Sequence, residues 1–213
     1  MRGLSDCHRP RVMIYIDHDI DRIDLQKALA EISMQRREQA LRFRYESRQR
    51  QSVAAYMQLK KGLQREYGIE ENPQFGFCKG GKPYISGHDE IHFSLSHCKT
   101  AVACALSSSP VGIDIERIRP LNRLLAKRVL SETELQGVLG GQRPDVEFIR
   151  LWTLKESYLK LTGEGIRRDL KTIDAHDARH TTVVDLQRQY VWTVCQWPEG
   201  SDCIDSEAHI EHR

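Results

Sequence analysis

The sequence has no long apolar run and no large excess of charge of either sign. No apolar stretch approaches the roughly 20 residues that a membrane-spanning helix needs. The first residues contain only a short apolar patch, Val12 to Ile16, and no pattern of a cleaved secretion signal. The formal net charge is +2 at pH 7, which by itself indicates neither nucleic-acid nor membrane-surface binding. We therefore expect a cytoplasmic protein without a membrane or nucleic-acid partner.

Paired cysteines and phosphate-loop motifs are also missing. The six cysteines include no C-x-x-C pair, so we expect buried or free thiols rather than a disulfide framework. Gly163 and Gly165 form a G-x-G that ends a helix instead of beginning one, which is typical of a helix stop. Five possible zinc ligands lie close together without zinc-site spacing: Cys78, His88, His92, His97 and Cys98. These absences exclude a P-loop and disfavour a zinc site.

The order of predicted elements favours an α+β fold. Apolar residues at helical spacing predict a long helix that Ser47 caps and that runs to Tyr67, and a second helix that stops at Gly163. Alternating residues predict strands that cluster after the helices, including a hairpin around Gly80 and Gly81. The break "SSSP" divides the chain into halves of residues 1–108 and 109–213. We expect the polar tail after about residue 200 to be disordered.

The stretch "VGIDIERIRP" places two carboxylates on one face of a strand. Val111, Ile113 and Ile115 alternate with Gly112, Asp114 and Glu116, and side chains two residues apart point the same way. Solvated charges on a half-exposed edge strand are the simpler interpretation. The alternative is that Asp114 and Glu116 share a ligand.

The helix containing "LWTLKESYLK" offers a third carboxylate, Glu156, between Lys155 and Lys160. A solvated Glu–Lys pair four residues apart would stabilise the helix by only about 0.3–0.5 kcal/mol. If Glu156 instead meets Asp114 and Glu116, the three carboxylates repel unless a cation lies between them. Mg²⁺ prefers such hard oxygen ligands, and the neighbouring lysines would suit a polyphosphate.

Cations are concentrated between Arg36 and Arg65, and this leaves two alternatives open. A basic face of this kind can bind the phosphodiester backbone of a nucleic acid, although no recognised DNA or RNA motif accompanies it. The other alternative is a non-catalytic scaffold, which would dock acidic partners on basic and apolar surface of the second half. The three carboxylates speak against a scaffold, because docking alone needs no metal.

These motifs together resemble those of the 4′-phosphopantetheinyl transferases of the larger, pseudo-dimeric type. "VGIDIE" and "WTLKESYLKLTGEG" carry the resemblance, and "RFRYESRQRQSVAAYMQLKKGL", "GKPYI" and "HFSLSHC" follow the family's order. The resemblance covers roughly Ser33 to Asp174. It implies two similar α+β halves in one monomeric chain, joined near Ser107 to Val111, with the active site in the cleft between them.

The resemblance implies a reaction as well as a fold. The family transfers phosphopantetheine from coenzyme A to a serine of an acyl or peptidyl carrier protein, which makes it a holo-carrier-protein synthase, and releases adenosine 3′,5′-bisphosphate. Asp114, Glu116 and Glu156 match its Mg²⁺ ligands. Glu156 matches the general base, with Lys155 and Asp114 as further catalytic residues.

The resemblance also implies which residues bind coenzyme A. The matching positions are Arg36, Arg50, Lys82, Ser96, His97, Lys155 and Lys160. A further basic position of the family is Gln39 here, which departs from the pattern. For docking of the carrier protein, the candidates are Leu124, Lys127 and Arg128.

Overall fold

The computed structural model describes residues 11–165 and 168–198, so the expected disordered tail lies outside the described residues. The first strand, β1 (Met13–Asp17), is followed by three helices, α1 (Leu25–Glu31), α2 (Met34–Leu41) and α3 (Glu46–Tyr67). Ser47 does not cap α3. Tyr45 takes that position without a side-chain cap, and Glu46 supplies the negative charge that favours the first turn. Gly68, with φ of 70°, ends α3 in the left-handed conformation.

Four further strands complete the part of the chain before "SSSP". The predicted hairpin is confirmed as β2 (Phe75–Phe77) and β3 (Pro83–Ile85). Strands β4 (His92–His97) and β5 (Val102–Ser107) join β1 in an antiparallel sheet of order β1-β5-β4. α3 packs on this sheet, since Leu59 and Leu63 share a buried cluster with Leu106 and Phe93.

A second antiparallel sheet follows "SSSP". Strand β6 (Val111–Arg117) leads to the helices α4 (Arg123–Val129), α5 (Glu132–Gly140) and α6 (Pro144–Thr162), and then to β7 (Arg179–Asp185) and β8 (Tyr190–Gln196). The sheet has the order β6-β8-β7. A reciprocal capping box of Ser131 and Glu134 begins α5. Gly163, with φ of 73°, ends α6 as the sequence predicts.

The two sheets repeat one strand order and meet along their edges. In each sheet the first strand pairs with the last and the last with the middle one. β4 and β6 are edge strands, and the hydroxyls of Ser94 and Ser96 on β4 accept hydrogen bonds from the amides of Ile113 and Ile115 on β6, at 3.0 and 3.2 Å. These hydroxyls satisfy amides that an edge strand would otherwise leave unpaired. The mixture of helices and antiparallel strands confirms the α+β prediction.

β6 also packs unusually close to α6. A Cβ on Gly112 would overlap the carbonyl oxygen of Ser157 and the amide nitrogen of Leu161, so only glycine allows this approach. Within the described ranges, no helix is both long and apolar enough to cross a membrane.

Candidate active site

Asp114 lies buried at the junction of the two sheets, with only 5% of its surface exposed. Its Oδ1 accepts hydrogen bonds from the hydroxyl of Ser96 and from the ammonium of Lys160, both at 2.7 Å. Its Oδ2 is also buried, and no group in the described part of the chain donates to it. A buried carboxylate oxygen without a donor is costly and suggests a ligand.

Glu116 and Glu156 are half-buried and feel the charge of Asp114. Burial is the main cause that raises the pKa of Glu116, and the negative charge of Asp114 raises it further. The pKa of Glu156 is raised by burial first, then by Asp114, and to a smaller extent by Glu116. The strand and the helix therefore bring three carboxylates into mutual electrostatic range. No group of three or more acidic, histidine or cysteine side chains within residues 11–165 and 168–198 is arranged to hold a metal ion as it stands.

Lys160 belongs to this group of charges. Its ammonium donates to Asp114 and, at 3.0 Å, to the carbonyl oxygen of Ile113. The sequence allowed a surface pair with Glu156, but the ion pair in the structure joins α6 to β6 through Asp114. Lys160 thus fixes the carboxylate of Asp114 and partly offsets the charge of the three acids.

His97 adjoins the same group. Burial lowers its pKa, and the nearby cations Lys160 and Arg48 lower it further, which favours the neutral ring. Its Nδ1 is buried, and it finds no hydrogen-bond partner among the described atoms. The site therefore combines clustered acids, an anchored lysine and a neutral histidine.

Comparison with known proteins agrees with this chemistry. The model of the 4′-phosphopantetheinyl transferase superfamily matches residues 110–209. The 4′-phosphopantetheinyl transferase Sfp of Bacillus subtilis strain 168 is 30% identical over 216 residues, which cover 91% of this chain and 96% of Sfp. This chain belongs to the 4′-phosphopantetheinyl transferase family. A second Bacillus subtilis transferase is 28% identical over 93% of this chain and 97% of its own, and HetI of Nostoc is 31% identical over 86% and 81%.

Lys155 of this transferase has structural partners rather than contacts with the carboxylates. It is only 2% exposed. Its ammonium lies 2.9 Å from Oε1 of Glu134 and donates to the carbonyl oxygens of Leu170 and Ile173, at 2.9 and 3.1 Å. An ammonium has three donors, and these three acceptors occupy them. The contacts of Lys155 thus do not support the predicted role at the diphosphate of coenzyme A.

Arg36 and Arg50, the predicted nucleotide-binding arginines, also contact the protein itself. The guanidinium of Arg36 lies over the ring of Tyr56 and donates to Ser52 and to Gln39. Gln39, which departs from the family pattern, is therefore a partner of Arg36. Arg50 donates to the carbonyl oxygen of Ile23 and pairs with Glu46.

Arg48, which the sequence analysis did not select, lies nearer to the site. It is close enough to His97 to lower the pKa of that residue. It also lines a cavity of about 300 Å³ whose lining residues are Ile20, Asp21, Ser47, Arg48, Gln51, Lys99 and Thr100. Helical spacing could have indicated Arg48, because Arg48 and Gln51 lie three residues apart on one face of α3, whereas Arg50 points away from that face.

Ser96 and Lys82 are held by protein groups as well. The hydroxyl of Ser96 joins Asp114 to the amide of Ile115. The ammonium of Lys82 donates to the carbonyl oxygens of Val111 and Leu161, both at 3.1 Å. Burial lowers the pKa of Lys82 to about 8.

A groove of about 610 Å³ runs between α4 and α5. It is lined by Arg123, Leu124, Lys127, Leu130, Glu132, Leu135, Gln136, Leu139 and Lys171. Leu124 is 76% exposed, so its side chain is accessible at the edge of the groove. The groove combines an apolar floor with three cations and one acid.

Proposed function

We propose that this transferase moves the 4′-phosphopantetheine group of coenzyme A to a serine of an acyl or peptidyl carrier protein. The observation that carries the proposal is Asp114, buried beside an anchored lysine and within electrostatic range of two further acids, with one oxygen to which no described group donates. This arrangement suits a site that handles a polyphosphate with a divalent cation. The products would be the holo carrier protein and adenosine 3′,5′-bisphosphate.

Mg²⁺ is the metal whose chemistry fits these residues. Asp114, Glu116 and Glu156 would hold it, since they offer hard carboxylate oxygens and the free Oδ2 of Asp114. Three like charges repel, so such a group closes only around a cation. When bound, Mg²⁺ would offset negative charge on the diphosphate.

Glu156 is the residue we propose as general base. Burial and Asp114 raise its pKa, which brings the carboxylate nearer to the range in which a base accepts a proton at neutral pH. It would take the proton of the serine hydroxyl as the serine oxygen attacks the β-phosphorus. The bond between that phosphorus and the bridging oxygen of the diphosphate breaks, and the electron pair leaves with adenosine 3′,5′-bisphosphate. Lys160 would stabilise charge on the diphosphate.

Arg48, Lys99 and His97 are the residues we propose for the nucleotide. The first two bring positive charge to the cavity beside α3, and His97 adjoins Arg48. Phosphate groups bind arginine and lysine through charge-assisted hydrogen bonds. Arg36 and Arg50 would keep their present contacts within the protein and would stabilise α3 without binding the nucleotide.

The two sheets of equal strand order support a pseudo-dimer, which we propose as the architecture. Each half would comprise a strand, a long helix and two further strands, and the coenzyme would lie where β4 meets β6. A monomer working in the cytoplasm stays a prediction.

The groove between α4 and α5 is the surface we propose for the carrier protein. Arg123, Lys127 and Lys171 would attract an acidic partner, and exposed Leu124 would pack against an apolar side chain of that partner. Leu124 and Lys127 are two of the three residues that the sequence indicated, whereas the third, Arg128, is not among the residues that line the groove.

Intact-protein mass spectrometry tests this function. Apo carrier proteins are incubated with the enzyme, coenzyme A and Mg²⁺, with and without a chelator, and with the variants Asp114→Ala and Asp89→Ala. We expect a gain of one phosphopantetheine group that disappears with the chelator and with Asp114→Ala but persists with exposed Asp89→Ala. Unchanged transfer by a folded Asp114→Ala variant would refute the assigned site.

A further inference from the structure

The turn between β2 and β3 reaches from the first part of the chain to the end of α6. A Cβ on Gly80, in this turn, would overlap the carbonyl oxygen of Gly163, and one on Gly165 would lie 3.3 Å from the carbonyl oxygen of Gly80. Two glycine-rich turns that are far apart in the sequence are thus in backbone contact. A side chain at position 80 would push them apart.

Lys82 adds two hydrogen bonds to this contact. Its ammonium donates to Leu161 in the last turn of α6 and to Val111 at the start of β6. Carbonyl groups in the last turn of a helix have no partner within the helix, and they form the negative end of its dipole. Lys82 therefore satisfies an open carbonyl of α6 and ties it to β6.

The two tied elements carry the reacting groups. Asp114 follows Val111 on β6, and Lys160 directly precedes Leu161 on α6, one turn after Glu156. The ion pair of Lys160 with Asp114 spans the same two elements. A small shift of α6 along β6 would therefore change the distance between the base and the metal-binding carboxylate.

We propose that Lys82 is a positioning residue, which locks the end of α6 to the start of β6 and thereby sets Glu156 against Asp114. This proposal rests on the proposed function for its kinetic readout. It differs from the expectation that Lys82 binds the nucleotide. Both acceptors of Lys82 are backbone carbonyls of the two elements it joins, and its partly buried ammonium is already engaged by them.

The test compares Lys82→Met with Lys79→Met, which removes an exposed lysine of the same turn. The dissociation constant of coenzyme A is measured by calorimetry, and kcat and KM by the transfer assay. For Lys82→Met we expect a fall in kcat of about tenfold or more, whereas affinity for coenzyme A changes less than about threefold. A phosphate-binding role predicts the reverse, a loss of affinity with kcat preserved, and that result would overturn the proposal.

Gly80→Ala provides an independent variant that keeps Lys82. It acts only through the contact with Gly163, and Gly137→Ala, in open space on α5, is its control. We expect Gly80→Ala to lower kcat as Lys82→Met does, again with affinity for coenzyme A preserved. Wild-type kcat in Gly80→Ala would contradict the positioning role even if Lys82→Met fails to fold.

Hydrogen exchange separates failure of this proposal from failure of the proposed function. Peptides that cover the last turns of α6 should exchange faster in Lys82→Met and Gly80→Ala than in their controls, whether or not any transfer is detected. Unchanged exchange in α6 would overturn the proposal that Lys82 holds the end of α6 against β6. Absence of transfer by the wild-type enzyme, together with faster exchange in the variants, would reject the proposed function alone.

Discussion

Replacing Lys155 with methionine should destabilise the protein while leaving its affinity for coenzyme A almost unchanged. Methionine keeps an unbranched side chain but removes the three donors that bind Glu134, Leu170 and Ile173. The carbonyl oxygen of Ile173 would then lack its donor, at about 1–3 kcal/mol, whereas that of Leu170 still accepts from the amide of Ile173 at 3.3 Å. Glu134 loses less, because its side chain is 27% exposed and still bonds the amide of Ser131.

The apolar methionine side chain offsets part of this loss, so we expect a net decrease of about 2 kcal/mol in the free energy of unfolding. For a chain of 213 residues, this corresponds to a fall in Tm of about 4–8 °C. Urea denaturation followed by circular dichroism measures the free energy. Lys61→Met, at an exposed position of α3, is the matched control.

A double-mutant cycle with Glu134→Gln isolates the ion pair. We expect a coupling energy of about 1 kcal/mol between positions 155 and 134, since the carbonyl contacts account for the rest. Calorimetry should give a coenzyme A affinity within about threefold of the wild type. A Lys155→Met variant of normal stability that loses more than about tenfold in affinity would refute the structural role and favour the diphosphate role.

Three further predictions concern the carboxylates, the seam between the sheets and the nucleotide cavity. The pKa of Glu156 is raised on folding, so its ionisation costs stability as the pH rises. With chelator present, Glu156→Gln should therefore have a higher Tm than the wild type at pH 7. This advantage should be absent below the ordinary glutamate pKa of 4.5. Exposed Glu71→Gln should show no such pH dependence, and an equal effect of Glu156→Gln at both pH values would contradict the argument. Ser96→Ala should lose about 1–3 kcal/mol of stability, because it removes a donor to Asp114 and the acceptor of the Ile115 amide. Ser86→Ala, at an exposed site, is the control. Equal denaturation midpoints of the two variants would contradict a stabilising role for these contacts between β4 and β6. Arg48→Ala should weaken coenzyme A binding by about tenfold or more, whereas Arg50→Ala should change it less than about threefold. Calorimetry that shows the opposite order would indicate that Arg50, and not Arg48, binds the nucleotide.

Several local features were predictable because they depend on neighbours in the sequence. The capping box of Ser131 and Glu134 and the stop of α6 at Gly163 follow from residue type at fixed spacing. The common face of Asp114 and Glu116 follows from strand alternation. The predicted start of α3 was wrong by two residues, because the helix begins after Tyr45 without a side-chain cap and not after Ser47.

The partners of the cations were not predictable in this way. Lys155 and Lys160 are similar residues on one helix, yet Lys155 is enclosed by α5 and the turn at Leu170 whereas Lys160 reaches Asp114 on β6. The two side chains project from different faces of α6, and only the packing of the other elements decides which groups each side chain contacts. The same reason separates Arg48 from Arg50 on α3.

The sequence by itself determined the element types, the family and the identity of three clustered acids, because periodicity, caps and motif spacing are local properties. Tertiary structure decided which side chains meet. Lys82 and Leu161 are 79 residues apart in the chain, and Ser96 and Asp114 belong to different sheets. Such contacts form because the packing of sheets and helices buries polar groups, and a buried polar group needs a hydrogen-bond partner. The packing that gives Lys82 and Lys155 their partners also leaves one oxygen of Asp114 with no donor among the described residues, and no short stretch of sequence contains that information.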